Sequence, residues 1–264
     1  MYLAHEPPVR LVVFVHGFAG GTVRSWRQFP DSGDTNTWWR ASDLLFVGYD
    51  SLRENITGVA ARIRRELPFF YPTPPARLGE IEGIRVRPLE IHDYGELLLV
   101  GHSLGAVIIR RLLVDCAQHW RDALRENPTE PMPAILQART RLFSPASAGF
   151  QPANKLGVLW ASPGWLGLNM LLRRSSAFSD LQPNSTILVE TRRRTEEEVG
   201  TGDESADALR AFIAFANPDD VVITERYSTD HVESSIDLTT HRSVCKPNAA
   251  FDNPRRFVET GSPH

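Results

Sequence analysis

A serine near the middle of the chain has the neighbours that an enzymatic nucleophile requires. The pattern G-x-S-x-G spans residues 101–105, with Ser103 at its centre, and follows an apolar run at 97–100. In a nucleophile elbow the serine occupies a tight strand-to-helix turn, and small residues on both sides let that turn close. The turn exposes the hydroxyl and points the first amides of the next helix at the group under attack. This spacing predicts acyl transfer by Ser103.

A second pattern lies near the N-terminus. Residues 11–15 form a continuous apolar, β-branched run, which is typical of a parallel strand covered on both faces, and His16-Gly17-Phe18 follows it. A strand followed by His-Gly-x-x-Gly is where esterases and lipases place the loop that donates one oxyanion-hole amide. We therefore predict that the backbone N–H groups of Phe18 and Leu104 hold the oxyanion. His16 is predicted to be a structural residue, hydrogen-bonded within its loop.

A general base must come after the nucleophile, because the order along the chain in such sites is nucleophile, acid, histidine. The histidines after Ser103 are His119, His231, His241 and His264. The segment 234–239 predicts a last short strand, and His241 would lie on the loop beyond it. A catalytic histidine belongs on such a loop, so His241 is preferred to His231 as the base.

The acid is predicted from the segment that precedes this last strand. Residues 210–216 are typical of a strand, and the turn after it contains Asp219 and Asp220. An aspartate there would accept the Nδ1 proton of the histidine and stabilise the imidazolium. Paired aspartates after Asn-Pro are also ordinary turn residues. Asp219 is the preferred acid, while Asp220, Glu190 and Asp230 remain alternatives.

Several segments together resemble a known family of hydrolases. They are Phe14-Val15-His16-Gly17-Phe18, Ser25-Trp26, Trp38-Trp39, Phe46–Ser51, Gly101–Gly105 and Thr240–Pro247. Over residues 10–247 the chain resembles α/β-hydrolases of the serine-active-site-containing type and, more distantly, GPI inositol-deacylase-like and lipase-like hydrolases. The resemblance implies ester hydrolysis with Ser103 as nucleophile and His241 as base. It also implies an acid in an Asp-Gly-Val-Val turn, which favours Asp219, although Asp220 stands where glycine is usual.

The order of predicted elements indicates how these residues come together. Strands are predicted at 10–16, 43–49, 96–101, 139–143, 186–191, 211–216 and 234–239, with helical segments between several of them. Such alternation predicts an α/β-hydrolase fold: a doubly wound, mainly parallel sheet with helices on both faces and its sites at the carboxyl ends of the strands. The first strand already leads to His16, so we expect a core without extra N-terminal strands. The Trp- and Leu-rich segment at 145–183 is a possible cap.

Two charged segments are predicted to lie outside this core. Arg192-Arg193-Arg194 and the glutamates at 196–198 are interpreted as a solvated loop rather than a phosphate site. The acidic, glycine-containing segment 195–207 is predicted to be a mobile insertion.

Composition excludes several other classes of protein. The 264 residues fit one domain, 1–264, and the net charge of −3 offers no basic surface for nucleic acid. Cys116 and Cys245 have no metal-binding spacing, and no run is long and apolar enough for a transmembrane segment. The N-terminus has no signal-peptide pattern, so we expect a cytoplasmic protein.

The expected activity is that of a carboxylesterase for short to medium acyl esters, with no metal and no organic cofactor. The partner would be a small-molecule or lipid ester. A lipase or phospholipid deacylase with the same triad is the first alternative. A non-catalytic binding or signalling module that retains the hydrolase fold is the second, and the presence of Ser103, His241 and the candidate acids argues against it.

Overall fold

The structure is a computed structural model that describes residues 1–4, 6–30, 37–75, 78, 80–81, 84–85, 92–150, 179–219 and 221–264. The strands among these residues are β1 (Arg10–Val15), β2 (Ser42–Val47), β3 (Glu80–Ile81), β4 (Ile84–Arg85), β5 (Glu96–His102), β6 (Arg139–Phe143), β7 (Ala211–Asn217) and β8 (Ser234–Asp237). The α-helices are α1 (Thr37–Arg40), α2 (Ile56–Glu66), α3 (Leu104–Glu126), α4 (Thr186–Gly200), α5 (Ala206–Leu209) and α6 (Asn253–Thr260). Short 3-10 helices occupy Leu67–Phe69 and Ala134–Gln137.

Six strands form one parallel sheet in the order β2-β1-β5-β6-β7-β8, and β3 and β4 form a separate antiparallel pair. Strand β1 lies between β2 and β5, so Val15 pairs with both Val47 and Gly101. The chain adds strands on one side of β1 and then on the other. Ligand sites in open parallel sheets form at the carboxyl ends of the strands beside such a reversal.

Both faces of the sheet are covered, which explains why its central strands are apolar without interruption. On one face, Leu11, Val13 and Val15 belong to a buried cluster with residues of α2, α3, α4 and α5. On the other face, Val12 and Phe14 belong to a second buried cluster with aromatic residues of the 21–30 segment and of α6. The doubly wound, parallel architecture predicted from the sequence is therefore confirmed. The central part of the possible cap, residues 151–178, lies outside the described residues.

The prediction of a strand at 186–191 is wrong, because these residues begin helix α4. The apolar run Ile187-Leu188-Val189 is too short to distinguish a strand from a helix. In the helix Leu188 is buried while Val189 is 54% exposed, and burial recurs at Thr191, Thr195 and Val199. This spacing of three to four residues is the helical period.

The loop predicted around the charged run is also wrong. Arg192 and Glu196 are paired at 3.5 Å, and Arg193 is paired with Glu197 at 2.5 Å. Pairs four residues apart face each other on a helix, so this run supports α4. The segment 195–207, predicted to be a mobile insertion, contains the end of α4, a turn with Gly202 at φ 72°, and the start of α5.

Candidate active site

Ser103 occupies the junction between the central strand β5 and the long helix α3. Its backbone has φ 56° and ψ −119°, outside the regions that L-residues commonly adopt. Such a conformation is strained, and it persists only where the surrounding structure enforces it. The strand before it and the helix after it are both buried, so they hold the turn in place. These are the backbone properties of a nucleophile elbow.

Two glycines allow the elbow to close. A Cβ added to Gly101 would lie 2.6 Å from the Cα of Ala106, in the first turn of α3. A Cβ added to Gly105 would lie 2.1 Å from the carbonyl oxygen of Val15 and 2.5 Å from that of His16. The start of α3 is therefore pressed against the ends of β5 and β1. A side chain at Gly101 would separate α3 from β5, and one at Gly105 would separate α3 from β1.

The loop after β1 lies directly against the elbow. A Cβ added to Gly17 would be 2.9 Å from the Cβ of Ser103. The carbonyl of Gly17 accepts hydrogen bonds from His16 Nδ1 at 2.8 Å and from the amide of Gly20 at 3.0 Å. Because C=O and N–H point in opposite directions across a trans peptide, these bonds turn the N–H of Phe18 away from His16.

His16 has a structural environment. It is 1% exposed, and its ring stacks on Tyr49 with centroids 4.2 Å apart and an interplanar angle of 9°. The Tyr49 hydroxyl donates to the His16 carbonyl. Burial lowers the pKa of His16, so its ring is neutral, and Nδ1 carries the proton that it donates to Gly17.

The second candidate oxyanion donor is the amide of Leu104. Leu104 is the first residue of α3, and the first amides of a helix have no carbonyl partner within it. They carry the positive end of the helix dipole, which favours negative charge beside Ser103.

Asp219 and His241 come from different loops at this edge of the sheet, and they meet. Asp219 lies just past the end of β7, His241 lies beyond β8, and Asp219 Oδ2 is 2.9 Å from His241 Nδ1. Both side chains are only 7% exposed. A carboxylate can only accept, so Nδ1 of His241 is the donor and its Nε2 is left for another group.

The Asp219 carboxylate is held by several donors. Its Oδ1 accepts from the amides of Val221 at 3.1 Å and Val222 at 3.3 Å. Burial raises the pKa of Asp219, but the hydrogen bond and charge of His241, with hydrogen bonds from Ser144 and Val221, outweigh burial and hold that pKa below its ordinary value. Asp219 is therefore ionised at neutral pH.

Ser144 is a member of this network that the sequence analysis missed. It follows β6, has φ 37° and is fully buried. Its hydroxyl accepts from the amide of Ala216 at 3.0 Å and donates to the carboxylate of Asp219. The available signal was its position, because a polar residue directly after a parallel strand lies at the edge where sites form.

His241 also lies beside the residue that precedes Ser103. The Nε2 atom of His102 is 2.8 Å from the backbone oxygen of His241, and the two rings have centroids 4.7 Å apart. The loop that carries His241 is therefore attached to the last residue of β5, next to the elbow.

The other candidates for base and acid lie elsewhere or have other partners. The ring of His231 stacks on Phe212 at 3.7 Å, and its amide donates to Ala211 at the start of β7. Asp230 is paired with Arg110 at 2.6 Å. Glu190 lies on α4, 3.8 Å from Arg194. Asp220 lies outside the described residues.

Within the described ranges, no group of three or more His, Cys, Asp or Glu side chains is arranged to hold a metal ion. In the same part of the chain, no helix combines the length and the apolar character needed to cross a membrane.

Comparison with known proteins adds information about the fold. No protein-family model and no curated protein matches the sequence. Among solved structures, the chain is similar to a carboxylesterase from the thaumarchaeon Nitrososphaera gargenis, with 11% identity, a TM-score of 0.50 and coverage of 97% of this chain and 92% of that chain. It is also similar to the mature form of a Bacillus licheniformis lipase, with 16% identity, a TM-score of 0.49 and coverage of 99% and 94%. A peroxisomal α/β-hydrolase from Saccharomyces cerevisiae has 12% identity, a TM-score of 0.46 and coverage of 97% and 78%.

At such identities the similarity concerns the fold alone. The parallel sheet, the serine at the turn between β5 and α3, and the similarity to the thaumarchaeal structure agree with one another. This chain has the α/β-hydrolase fold.

Proposed function

We propose that this protein is a serine hydrolase that cleaves carboxylic esters through an acyl-enzyme. Ser103 is the nucleophile, His241 the general base and Asp219 the acid. The observation that carries the proposal is the 2.9 Å hydrogen bond between Asp219 and His241, formed by two loops at the sheet edge where Ser103 lies. A buried carboxylate bonded to an imidazole, at the sheet edge that carries a strained serine, is the arrangement that activates a nucleophile.

The first half of the reaction forms the acyl-enzyme. The Nε2 atom of His241 accepts the hydroxyl proton of Ser103 as Oγ attacks the ester carbonyl carbon. The carbonyl oxygen becomes an oxyanion, and the N–H groups of Phe18 and Leu104 donate to it. The C–O bond to the alcohol then breaks, and the alcohol leaves with the proton from His241.

The second half regenerates the serine. Water gives a proton to His241 Nε2 as its oxygen attacks the acyl carbon, and the same two amides hold the second oxyanion. The bond to Ser103 Oγ breaks, the proton returns to Oγ, and the carboxylic acid is released. Asp219 keeps Nδ1 of His241 protonated and stabilises the imidazolium in both halves.

The proposed substrates are esters of short to medium acyl chains. The structurally similar thaumarchaeal protein is a carboxylesterase, but at 11% identity the proposal for this chain rests on its own site. A lipase would use the same residues, and its activity would increase above the concentration at which the substrate aggregates. Acyl-chain length is therefore part of the test, because long-chain esters are the ones that aggregate in water.

The test is hydrolysis of p-nitrophenyl esters from acetate to palmitate by the wild type, Ser103→Ala and His241→Ala. We expect wild-type turnover to peak at short or medium chains, and each variant to lose on the order of 10⁵-fold in kcat. Ser228→Ala is the matched control. The Ser228 hydroxyl bonds to Glu196 on helix α4 and not to a residue of the candidate site, so this variant should keep full activity. Equal turnover by the wild type and Ser103→Ala would refute the proposal, and a peak at palmitate would indicate the lipase.

A further inference from the structure

His102 lies between the two loops of the site. On one side, its Nε2 atom is 2.8 Å from the backbone oxygen of His241. On the other side, its Nδ1 atom faces Gly17, where an added Cβ would be 3.0 Å away. The indole of Trp26 packs against it edge-on, with ring centroids 6.5 Å apart. One imidazole therefore contacts both the oxyanion loop and the loop of the proposed base.

The protonation state of His102 follows from its surroundings. Burial, and then the neighbouring His241, lower the pKa of His102 to about 3, and Lys246 acts in the same direction, while the hydrogen bond to the His241 carbonyl and the charge of Asp219 oppose them. The ring is neutral at ordinary pH and carries one N–H. A carbonyl oxygen can only accept, so that proton is on Nε2.

His241 is consequently held at both of its ends. Asp219 binds its ring at Nδ1, and His102 binds its backbone oxygen. Between these two attachments lie three rotatable bonds of His241: C–Cα, Cα–Cβ and Cβ–Cγ. With both ends held, the direction in which Nε2 points is restricted.

We propose that His102 is a positioning residue, whose Nε2–H fixes the backbone of His241 so that the imidazole faces Ser103. This inference rests on the proposed function, because it assigns His102 to the machinery of the same reaction. His102 does not exchange protons with the substrate. Its effect is on geometry, where a displacement of about 1 Å can cost about 100-fold in rate.

Three substitutions separate the hydrogen bond from the packing. In His102→Gln the amide nitrogen can replace the Nε2 donor at similar reach. In His102→Leu the side-chain volume is largely kept and the donor is lost. In His102→Asn a donor is present, but the side chain is too short for it to reach the backbone oxygen of His241. His119→Gln is the control, since His119 is exposed on α3 and bonds to Arg64.

We expect His102→Leu and His102→Asn to lose about 10- to 100-fold in kcat with KM nearly unchanged, and His102→Gln to recover most of that loss. Similar thermal unfolding midpoints in the Gln and Asn variants would exclude a packing effect. If His102→Leu does not fold, the Gln and Asn pair makes the same comparison. Wild-type kcat in His102→Asn would overturn the proposal.

A second readout does not depend on turnover. We expect the Nδ1 proton of His241, bonded to Asp219, to give a low-field proton resonance in the unliganded protein. We expect that resonance to remain in His102→Gln and to shift or broaden in His102→Asn, because the imidazole is then less restrained. An unchanged resonance in His102→Asn would count against the positioning role, whereas a wild type without ester hydrolysis would refute only the proposed function.

Discussion

Two buried aspartates at opposite ends of strand β7 have similar surroundings and different consequences. Asp219 lies two residues past the end of β7, and Asp230 accepts a hydrogen bond from the amide of Ala211, the first residue of the strand, at 3.0 Å. Their side chains are 7% and 0% exposed, and both accept several hydrogen bonds. The difference lies in the partner: Asp219 faces an imidazole, whereas Asp230 faces a guanidinium.

The partner of Asp230 is permanently charged. Arg110 donates to both of its oxygens, at 3.1 and 2.6 Å, and its guanidinium lies 3.8 Å above the ring of Tyr227. This pair joins α3 to the loop before β8, and a guanidinium does not serve as a general base. A histidine, in contrast, can accept and return a proton. Burial of a carboxylate therefore does not identify an acid of a catalytic site; the chemistry of its partner does.

The largest effect that would test this comparison is on turnover. In Asp219→Asn, the amide can donate to His241 and favour the wrong tautomer, so we expect kcat to fall about 10⁴-fold. The free energy of unfolding should change by less than about 2 kcal/mol, because the volume is preserved and the neighbouring amides remain bonded. Ester hydrolysis and urea unfolding measure the two quantities.

Asp220→Asn is the matched control for that substitution, since it neutralises the adjacent carboxylate. We expect nearly wild-type turnover. Equal, mild losses in the two variants would contradict the assignment and return attention to Glu190 or Asp230 as the acid.

The second effect concerns stability. Asp230→Asn leaves Arg110 buried without a countercharge, which we expect to cost about 3–5 kcal/mol of unfolding free energy, while kcat of the folded protein stays near the wild-type value. The control is Asp122→Asn, which breaks the exposed pair with Arg125 and should cost less than about 1 kcal/mol. Loss of turnover in folded Asp230→Asn would contradict the view that Asp230 contributes only to stability and Asp219 to the reaction.

The smallest effect is a change in pH dependence. The folded-state pKa of Asp219 is below its ordinary value, so its ionised form stabilises the fold above about pH 4, and that contribution is lost as the pH falls through the lower folded-state pKa. Ser144→Ala removes one of the bonds that lower this pKa. Urea unfolding between neutral and acidic pH should therefore show a smaller loss of stability on acidification than in the wild type.

The same variant should lower kcat by about tenfold, because Asp219 is less firmly held. Ser147→Ala is the control: Ser147 is also buried, but it bonds to the backbone of Glu225 and should leave the acid-dependent part of stability unchanged. A wild-type pH dependence in Ser144→Ala would mean that Ser144 does not hold the carboxylate.

Much of the sheet could be predicted from the sequence because its strands carry a local signal. Strands β1 and β5 are buried on both faces, so each is a continuous apolar run, and glycine spacing marks the turn at Ser103. Helix α4 carries no comparable signal. Its buried stripe includes Thr191, Arg194 and Glu198. Two of these polar side chains pair with residues of α3 that are distant in the chain, Arg194 with Asp115 and Glu198 with Arg121.

The candidate site divides in the same way. Ser103 and His241 could be selected from motifs and chain order. Sequence patterns did not separate Asp219 as the acid from its alternatives, Asp220, Glu190 and Asp230. Ser144 and His102 act through hydrogen bonds to Asp219 and to the backbone of His241, and no local pattern encodes such bonds. The narrower resemblance to serine-active-site-containing hydrolases stays a prediction.

The position of β8 has a consequence for how the molecule responds to heat. This four-residue strand pairs with β7 at the margin of the sheet, whereas β5, which leads to Ser103, is flanked by β1 and β6. Edge strands open at a lower free energy than central strands. Fraying at β8 would carry His241 away from Ser103 while the central strands remain paired. Thermal inactivation should therefore begin below the temperature at which the sheet as a whole melts.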